Sequence, residues 1–221
     1  IDTANQFKKK FKNRFDFYNI KFSNIDQVID CSLDAIIFDL GISSIQLDNM
    51  DRGFSFKSKR ELDMSMGLSS LSAKKVINSY SYETLKRIIK IFGEEKDAAR
   101  IAKNIIKERK KSSIIKTNKL VEIINKSKKK NFKKKIDIST KTFQAIRIFV
   151  NKEISELING MIKATDLLKP GGKIIFVSFH SIEDKIIKFY FKNFSANRSR
   201  ENKYIPETNH SKFSLFKNYK N

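Results

Sequence analysis

Apolar residues follow two different rhythms along this chain. In the first forty or so residues, and again from about residue 142, short apolar runs alternate with helical stripes. Ile1-Asp2 reads as the tail of a strand, and Thr3 onward as a helix, because Ala4, Phe7 and Phe11 fall at helical spacing with lysines between them. Phe15-Asp16-Phe17-Tyr18-Asn19 alternates and is aromatic, which predicts a strand. Phe22 follows on a loop, and Ser23 is placed to cap a short helix running to Ile29. Ala35-Ile36-Ile37-Phe38 then reads as a buried strand that breaks into Asp39-Leu40-Gly41. Strands and helices in this alternation predict a parallel sheet with right-handed crossovers.

Between about Asp51 and Lys141 the strand signals stop. Val76 to Phe92 reads as one helix with Ile88, Ile89 and Phe92 on a common side. Ala98, Ile101, Ala102, Ile105 and Ile106 form a helical stripe, and Leu120, Ile123 and Ile124 mark another helix. A long helix is expected from Phe143 through Ile146, Val150, Ile154, Leu157 and Met161 to Leu168. Lys169-Pro170-Gly171-Gly172 should end it in a turn. Lys173–Ser178 reads as a second buried strand. Ser181 with Asp184 fits the start of a further helix carrying Ile186, Ile187, Tyr190, Phe191 and Phe194. Beyond Asn197 the chain is polar and irregular.

Charge adds a partner class to this outline. The 221 residues carry 46 Lys+Arg against 24 Asp+Glu, a formal charge of +22 that favours polyanions through counterion release. Part of that excess matches a composition rich in Lys, Ile and Asn without Trp, as an AT-rich genome produces. Lys128–Lys130 and Lys133–Lys135 form either a solvated basic face or a phosphate-contacting arm. A single cysteine, Cys31, excludes an internal disulfide, and with only His180 and His210 no metal site is expected. No apolar run approaches the ~20 residues of a membrane span. The start is polar and basic with no signal peptide, so a cytoplasmic setting is expected.

Three residues stand where α/β sheets do chemistry. Asp2, after a strand and before a helix, suits either a helix N-cap or an acid that bonds the ribose of a nucleotide-like cofactor. Asp39, at the end of a buried strand, either caps the next turn or faces a ligand in the crevice. His180, at the end of the next strand, is either a structural histidine or a base and substrate contact. No two glycines are separated by a single residue, so no G-x-G loop is present. Because the chain opens on Ile rather than Met, a first strand and its glycine loop are expected upstream.

Six motifs in order turn these positions into a pattern. Asp39–Asp48 (DLGISSIQLD) resembles the DLGVSSPQLD signature of the MraW/RsmH-type 16S rRNA cytosine-N4 methyltransferases. Asp51–Phe56 is similar to their ERGFSF run, Leu62–Met66 to LDMRM, and Phe92–Glu95 to YGEE. Thr140–Ile148 is similar to TRTFQALRI, and Ser178–Asp184 to SFHSLED. The resemblance runs from Ile1 to about Phe194. It implies methyl transfer from S-adenosylmethionine to the exocyclic amine of a cytidine in the decoding centre of 16S rRNA in the small subunit. By motif it also implies cofactor contacts at Asp2, Phe22, Asp39 and Gln46. Asp39 and His180 become the candidate catalytic residues, and Arg52, Lys141, Arg147 and His180 the candidate RNA contacts.

The implied fold is α/β: a class I, Rossmann-like S-adenosylmethionine methyltransferase fold with a helical domain inserted after the fourth strand and the first strand missing. Residues 1–50 and 142–196 would form the Rossmann-like domain, 51–141 the basic substrate-binding insertion, and 197–221 an irregular tail. Monomer and homodimer both remain open. The sulfonium methyl is already activated, so alignment of the weakly nucleophilic amine, unstacked from its helix, would carry much of the catalysis. This chain departs from the family pattern in three places. The His-Pro pair before Thr140 is lost and an arginine has become Lys141. The C-terminal NPRARS-like run is not recognisable, and the GGGH loop has no counterpart. A non-catalytic basic RNA-binding remnant is the rival reading, and nonspecific polyanion binding a third.

Overall fold

The structure is a computed structural model and describes residues 2–42, 53–66, 69–128 and 137–194. It is a mixed α/β protein whose described strands form a small parallel sheet accompanied by many helices. Helix α1 spans Asp2–Phe11, and 3-10 turns follow at Lys12–Arg14 and Phe22–Gln27. Strand β1 spans Leu33–Asp39. Then come α2 (Ala73–Ser79), α3 (Tyr82–Phe92), α4 (Ala98–Arg109), α5 (Thr117–Ser127), α6 (Thr140–Asn151) and α7 (Glu153–Leu167). Strand β2 (Leu168–Val177) and α8 (Ser181–Phe194) complete the described elements.

β1 and β2 pair in parallel, with Ile36 opposite Ile174, Ile37 opposite Ile175 and Asp39 opposite Val177. The register jumps from Leu33↔Leu168 to Ala35↔Lys173. The expected Lys-Pro-Gly-Gly turn is therefore looped out of a strand that begins earlier than predicted. Gly171 supplies the left-handed backbone there at φ +81°. Period-2 alternation sends Ile36, Phe38 and Leu40 inward and leaves Ile37 67% exposed on the other face.

Apolar side chains collect in two separate cores. One lies under the sheet, where Ile36, Phe38 and Leu40 meet Leu157, Met161 and Ala164 of α7 and Ile187 and Tyr190 of α8. Phe38 stacks on Phe176 at 4.7 Å and meets Phe22 edge-on at 5.6 Å. The other core is helical and holds Leu85, Ile88 and Ile89 of α3, Ile101 and Ile105 of α4, Leu120 and Ile124 of α5, and Phe143, Ile146 and Val150 of α6. The change from one core to the other falls between α6 and α7.

Five expectations need correction. Asp2 does not end a strand; it opens α1. Residues 15–19 do not join the sheet, since Phe17 and Tyr18 are each 47% exposed and no described strand pairs with them. Ser23 does not cap a helix, because it lies inside the Phe22–Gln27 turn and donates to Glu156 instead. The helix expected over Val76–Phe92 is two helices. Tyr80 turns extended, and Ser81 restarts α3 by accepting the Thr84 N–H. The long helix from Phe143 also breaks, at Lys152, which takes the left-handed conformation (φ +53°, ψ +33°). Apolar spacing continues unbroken through Val150, Ile154 and Leu157, so periodicity cannot show that kink.

Candidate active site

The kink at Lys152 builds one wall of a cavity of about 330 Å³. Ile20, Lys21 and Phe22 form a second wall, and Leu40 and Gly41 close it at the carboxyl end of β1. Met66 and Ser69–Leu71 bring in the segment after the LDMSM run, while Val150–Glu153, Glu156, Leu157 and Glu183 complete the lining. A crevice at the carboxyl ends of parallel strands is where α/β sheets bind ligands.

Each wall is held by a definable contact. Asn151 donates to the Met64 and Arg147 carbonyls and accepts the Met66 N–H at 2.8 Å, which straps the 64–66 segment to the end of α6. Ser69 donates to the Val150 carbonyl at 2.8 Å. Glu156 accepts from Lys21 and Ser23, fixing the turn that carries Phe22. Gly160 lets that turn approach α7, because a Cβ there would meet the Phe22 ring at 2.6 Å. Gly93 does the same for the helical core. A Cβ at that position would lie 2.5 Å from the Lys141 carbonyl oxygen, so only glycine lets α3 end against α6.

Lys21, Lys152, Glu153, Glu156 and Glu183 bring charge to the lining, and Arg147 and His180 pair with Glu153 and Glu183. Arg147 grips Glu153 through two parallel bonds of 2.9 Å, with side chains only 15% and 11% exposed. Burial raises the Glu153 carboxyl above its ordinary value, against the lowering pull of Arg147. Glu183 is buried too, and burial alone would raise it. The bond and charge of His180, the Phe179 N–H and Arg147 outweigh that and hold it below its ordinary value.

His180 caps α8: its Nδ1 accepts the Glu183 N–H at 3.4 Å, and its Nε2 lies 3.1 Å from Glu183 Oε1. That approach is off the N–H axis, so the buried Nε2 makes no in-line hydrogen bond. Ligand atoms of Glu153, His180 and Glu183 lie within 4.8 Å of one another, close enough to ligate a cation. Arg147 already occupies both Glu153 oxygens, which makes this primarily an ion-pair network.

The predicted site residues divide as follows. Phe22 is on the cavity wall, and His180 stands behind it through Glu183. Asp39 is exposed on the open face of the sheet, one residue from Leu40 on the cavity side. Arg147 lies in the buried pair with Glu153. Lys141, on α6, donates to the Glu94 carbonyl at 3.0 Å. Asp2 opens α1, and Gln46 and Arg52 lie outside the described residues. The sequence reading missed Asn151, Glu153 and Glu183 as functional candidates. Glu183 sits inside the quoted SFHSIED run, whereas nothing in the local pattern distinguishes Asn151 and Glu153 from solvent-facing helix residues.

A second contact joins the helical core to α8 beside this site. Glu94, at φ +45°, accepts from Ser181 and Lys185, and these bonds lower its carboxyl. Its neighbour Glu95 is buried and pairs with Lys128 at 2.6 Å, and Lys128 also donates to the Ile138 carbonyl.

The fold is that of an α/β protein with a parallel sheet and a cleft at the carboxyl ends of its strands. The chain belongs to the MraW methylase family, which it matches over residues 1–218. It is 45% identical over 197 residues to the ribosomal RNA small subunit methyltransferase H of Ehrlichia canis, covering 87% of this chain and 66% of that protein. The proteins of the same name from Rickettsia bellii and Bartonella bacilliformis are 42% and 39% identical over 209 and 211 residues, with 68% and 63% of their lengths matched. The chain thus spans about two thirds of the length of these curated relatives. No helix among the described residues is long and apolar enough to cross a membrane.

Proposed function

We propose that the protein carrying this chain is an S-adenosylmethionine-dependent methyltransferase of the small ribosomal subunit, acting on the N4 amine of a 16S rRNA cytidine in the cytoplasm. The observation that carries this reading is the cavity at the carboxyl ends of the parallel strands, with Phe22 on its wall, in a chain of the MraW methylase family. The lining suits a methionine-and-adenosine ligand. Phe22, Leu71, Val150 and Leu157 offer apolar surface, Lys21, Ser70 and Glu156 offer polar groups, and Gly41 leaves bare backbone at φ +90°. Phe22 would lie beside the adenine, and Asp39, Gln46 and Asp2 would supply the polar contacts.

The bound cofactor supplies an activated methyl group. The chain's own residues position the acceptor and manage charge. A cytosine amine attacks weakly because its lone pair is delocalised into the ring, so a carboxylate that holds the amine and offsets its developing positive charge lowers the barrier. Asp39 takes that role. His180, capping α8 and paired with Glu183, fixes the loop after β2 from behind. In this reading residues 51–141 form a basic lobe that grips the rRNA backbone. Exposed Arg87 and Lys90 on α3 and Lys141 on α6 are among its described cations.

The test is methyl incorporation from labelled S-adenosylmethionine into small-subunit rRNA by the full gene product, with the position read by nucleoside analysis. N4-methylcytidine is the expected product. Incorporation only at another nucleotide, or no calorimetric binding of the cofactor, overturns the reading. An Asp39→Asn variant with normal turnover removes Asp39 from its role.

A further inference from the structure

We propose that Phe179 is the stacking platform on which the target cytosine rests while Asp39 holds its amine; this rests on the methyltransferase reading above. Phe179 lies two residues after the end of β2, and its ring is 70% exposed. Its backbone is nevertheless fixed. The Phe179 N–H donates to Glu183 Oε2 at 3.2 Å, and Glu183 is 4% exposed and held by His180. A loop tied to α8 thus presents an apolar ring that the core does not use.

The ring's neighbours place it at the reaction. A Cβ on Gly41 would come within 3.4 Å of Phe179 Cδ2, so the ring lies against the Asp39-Leu40-Gly41 turn. Register puts Asp39 opposite Val177, and the Leu40 N–H donates to the Val177 carbonyl at 3.0 Å. Two residues beyond the end of each strand are Gly41 and Phe179. Alternation puts Asp39, Val177 and Phe179 on the same, open face of the sheet, away from the buried Phe38 and Leu40. A carboxylate and a flat ring side by side match the two needs of an unstacked cytosine, an acceptor for its amine and a surface for its π face. The chain's charge of +22 supplies the attraction for the polyanion that carries the base.

The chain has no tryptophan, so Phe179→Trp puts a single tryptophan at the proposed platform. Titrating the 221-residue Phe179→Trp chain with an rRNA hairpin bearing the target cytidine should quench its emission. The same hairpin with an abasic target should bind without that quench. In the full gene product, Phe179→Ala should lower kcat/KM for the RNA about 10- to 100-fold, the ordinary worth of one base–aromatic stack. Cofactor affinity should be unchanged, and Phe179→Trp should retain turnover within a few-fold. Phe189→Ala, removing an equally exposed ring from α8, should behave as wild type. The platform is wrong if wild type methylates RNA and Phe179→Ala stays within twofold of it, or if the two hairpins quench equally. If wild type methylates no small-subunit RNA, the methyltransferase reading fails and takes the platform with it.

Discussion

Replacing Arg147 with methionine strips Glu153 of the cation that engages both its oxygens while keeping most of the side-chain volume. The pair is nearly dry, at 15% and 11% exposure, and both Glu153 oxygens are engaged at 2.9 Å. Leaving a buried charge without its partner costs about 3–5 kcal/mol. For a chain of this size that is a drop of roughly 6–20 °C in Tm. The loss must depend on pH, because Glu153 can take a proton. Its folded-state value is already raised by burial, and without Arg147 it rises further. A raised carboxyl means that the folded state binds the proton more tightly than the unfolded state. Stability therefore falls as pH climbs from the ordinary value of 4.5 through the folded one. Urea unfolding of wild type, Arg147→Met, Glu153→Gln and the double variant at pH 5 and pH 7.5 measures this. Arg147→Met should be the least stable at pH 7.5 and recover at pH 5, and the double variant should be more stable than Arg147→Met alone. A loss under about 1 kcal/mol, the range of an exposed pair, with no pH dependence would refute the view that this is a buried pair bracing the cavity.

Three further perturbations probe the frame. Lys152→Gly should stabilise the chain by about 1 kcal/mol in urea unfolding, since a side chain at φ +53° pays the left-handed penalty that glycine avoids. Gly160→Ala puts a Cβ 2.6 Å from the Phe22 ring; it should cost about 1–3 kcal/mol and, by moving Phe22, weaken cofactor binding measured by calorimetry. Glu183 has a lowered folded value, so its contribution is intact above 4.5 and is lost as pH falls through that lowered value. Glu183→Gln should therefore flatten the acid side of the stability profile recorded between pH 3 and pH 6, and an unchanged slope would show that the His180 contact carries no charge.

Local signals determined much of this protein from sequence alone. The apolar runs Ala35–Phe38 and Lys173–Ser178 were enough to locate both described strands, although β2 begins earlier, at Leu168. The stripe Ala98–Ile106 and the Leu120–Ile124 cluster located α4 and α5 for the corresponding helical reason. The family was legible because its motifs are contiguous in sequence. What stayed hidden depends on contacts between distant segments. Lys152 breaks a helix whose apolar spacing never falters, and the break leaves Asn151 bonded to Met64 and Met66 and Glu153 gripped by Arg147. Residues 15–19 alternate as a strand should, but a strand needs an edge to pair with, and the sheet offers them none among the described residues. The motifs mark Arg147 as a candidate RNA contact and do not single out Phe179. Only the folded chain buries the arginine against Glu153 and leaves the ring in the open against Gly41. Spacing records which face of its own element a side chain occupies; whether that face meets water, a carboxylate or another strand is decided by the rest of the chain.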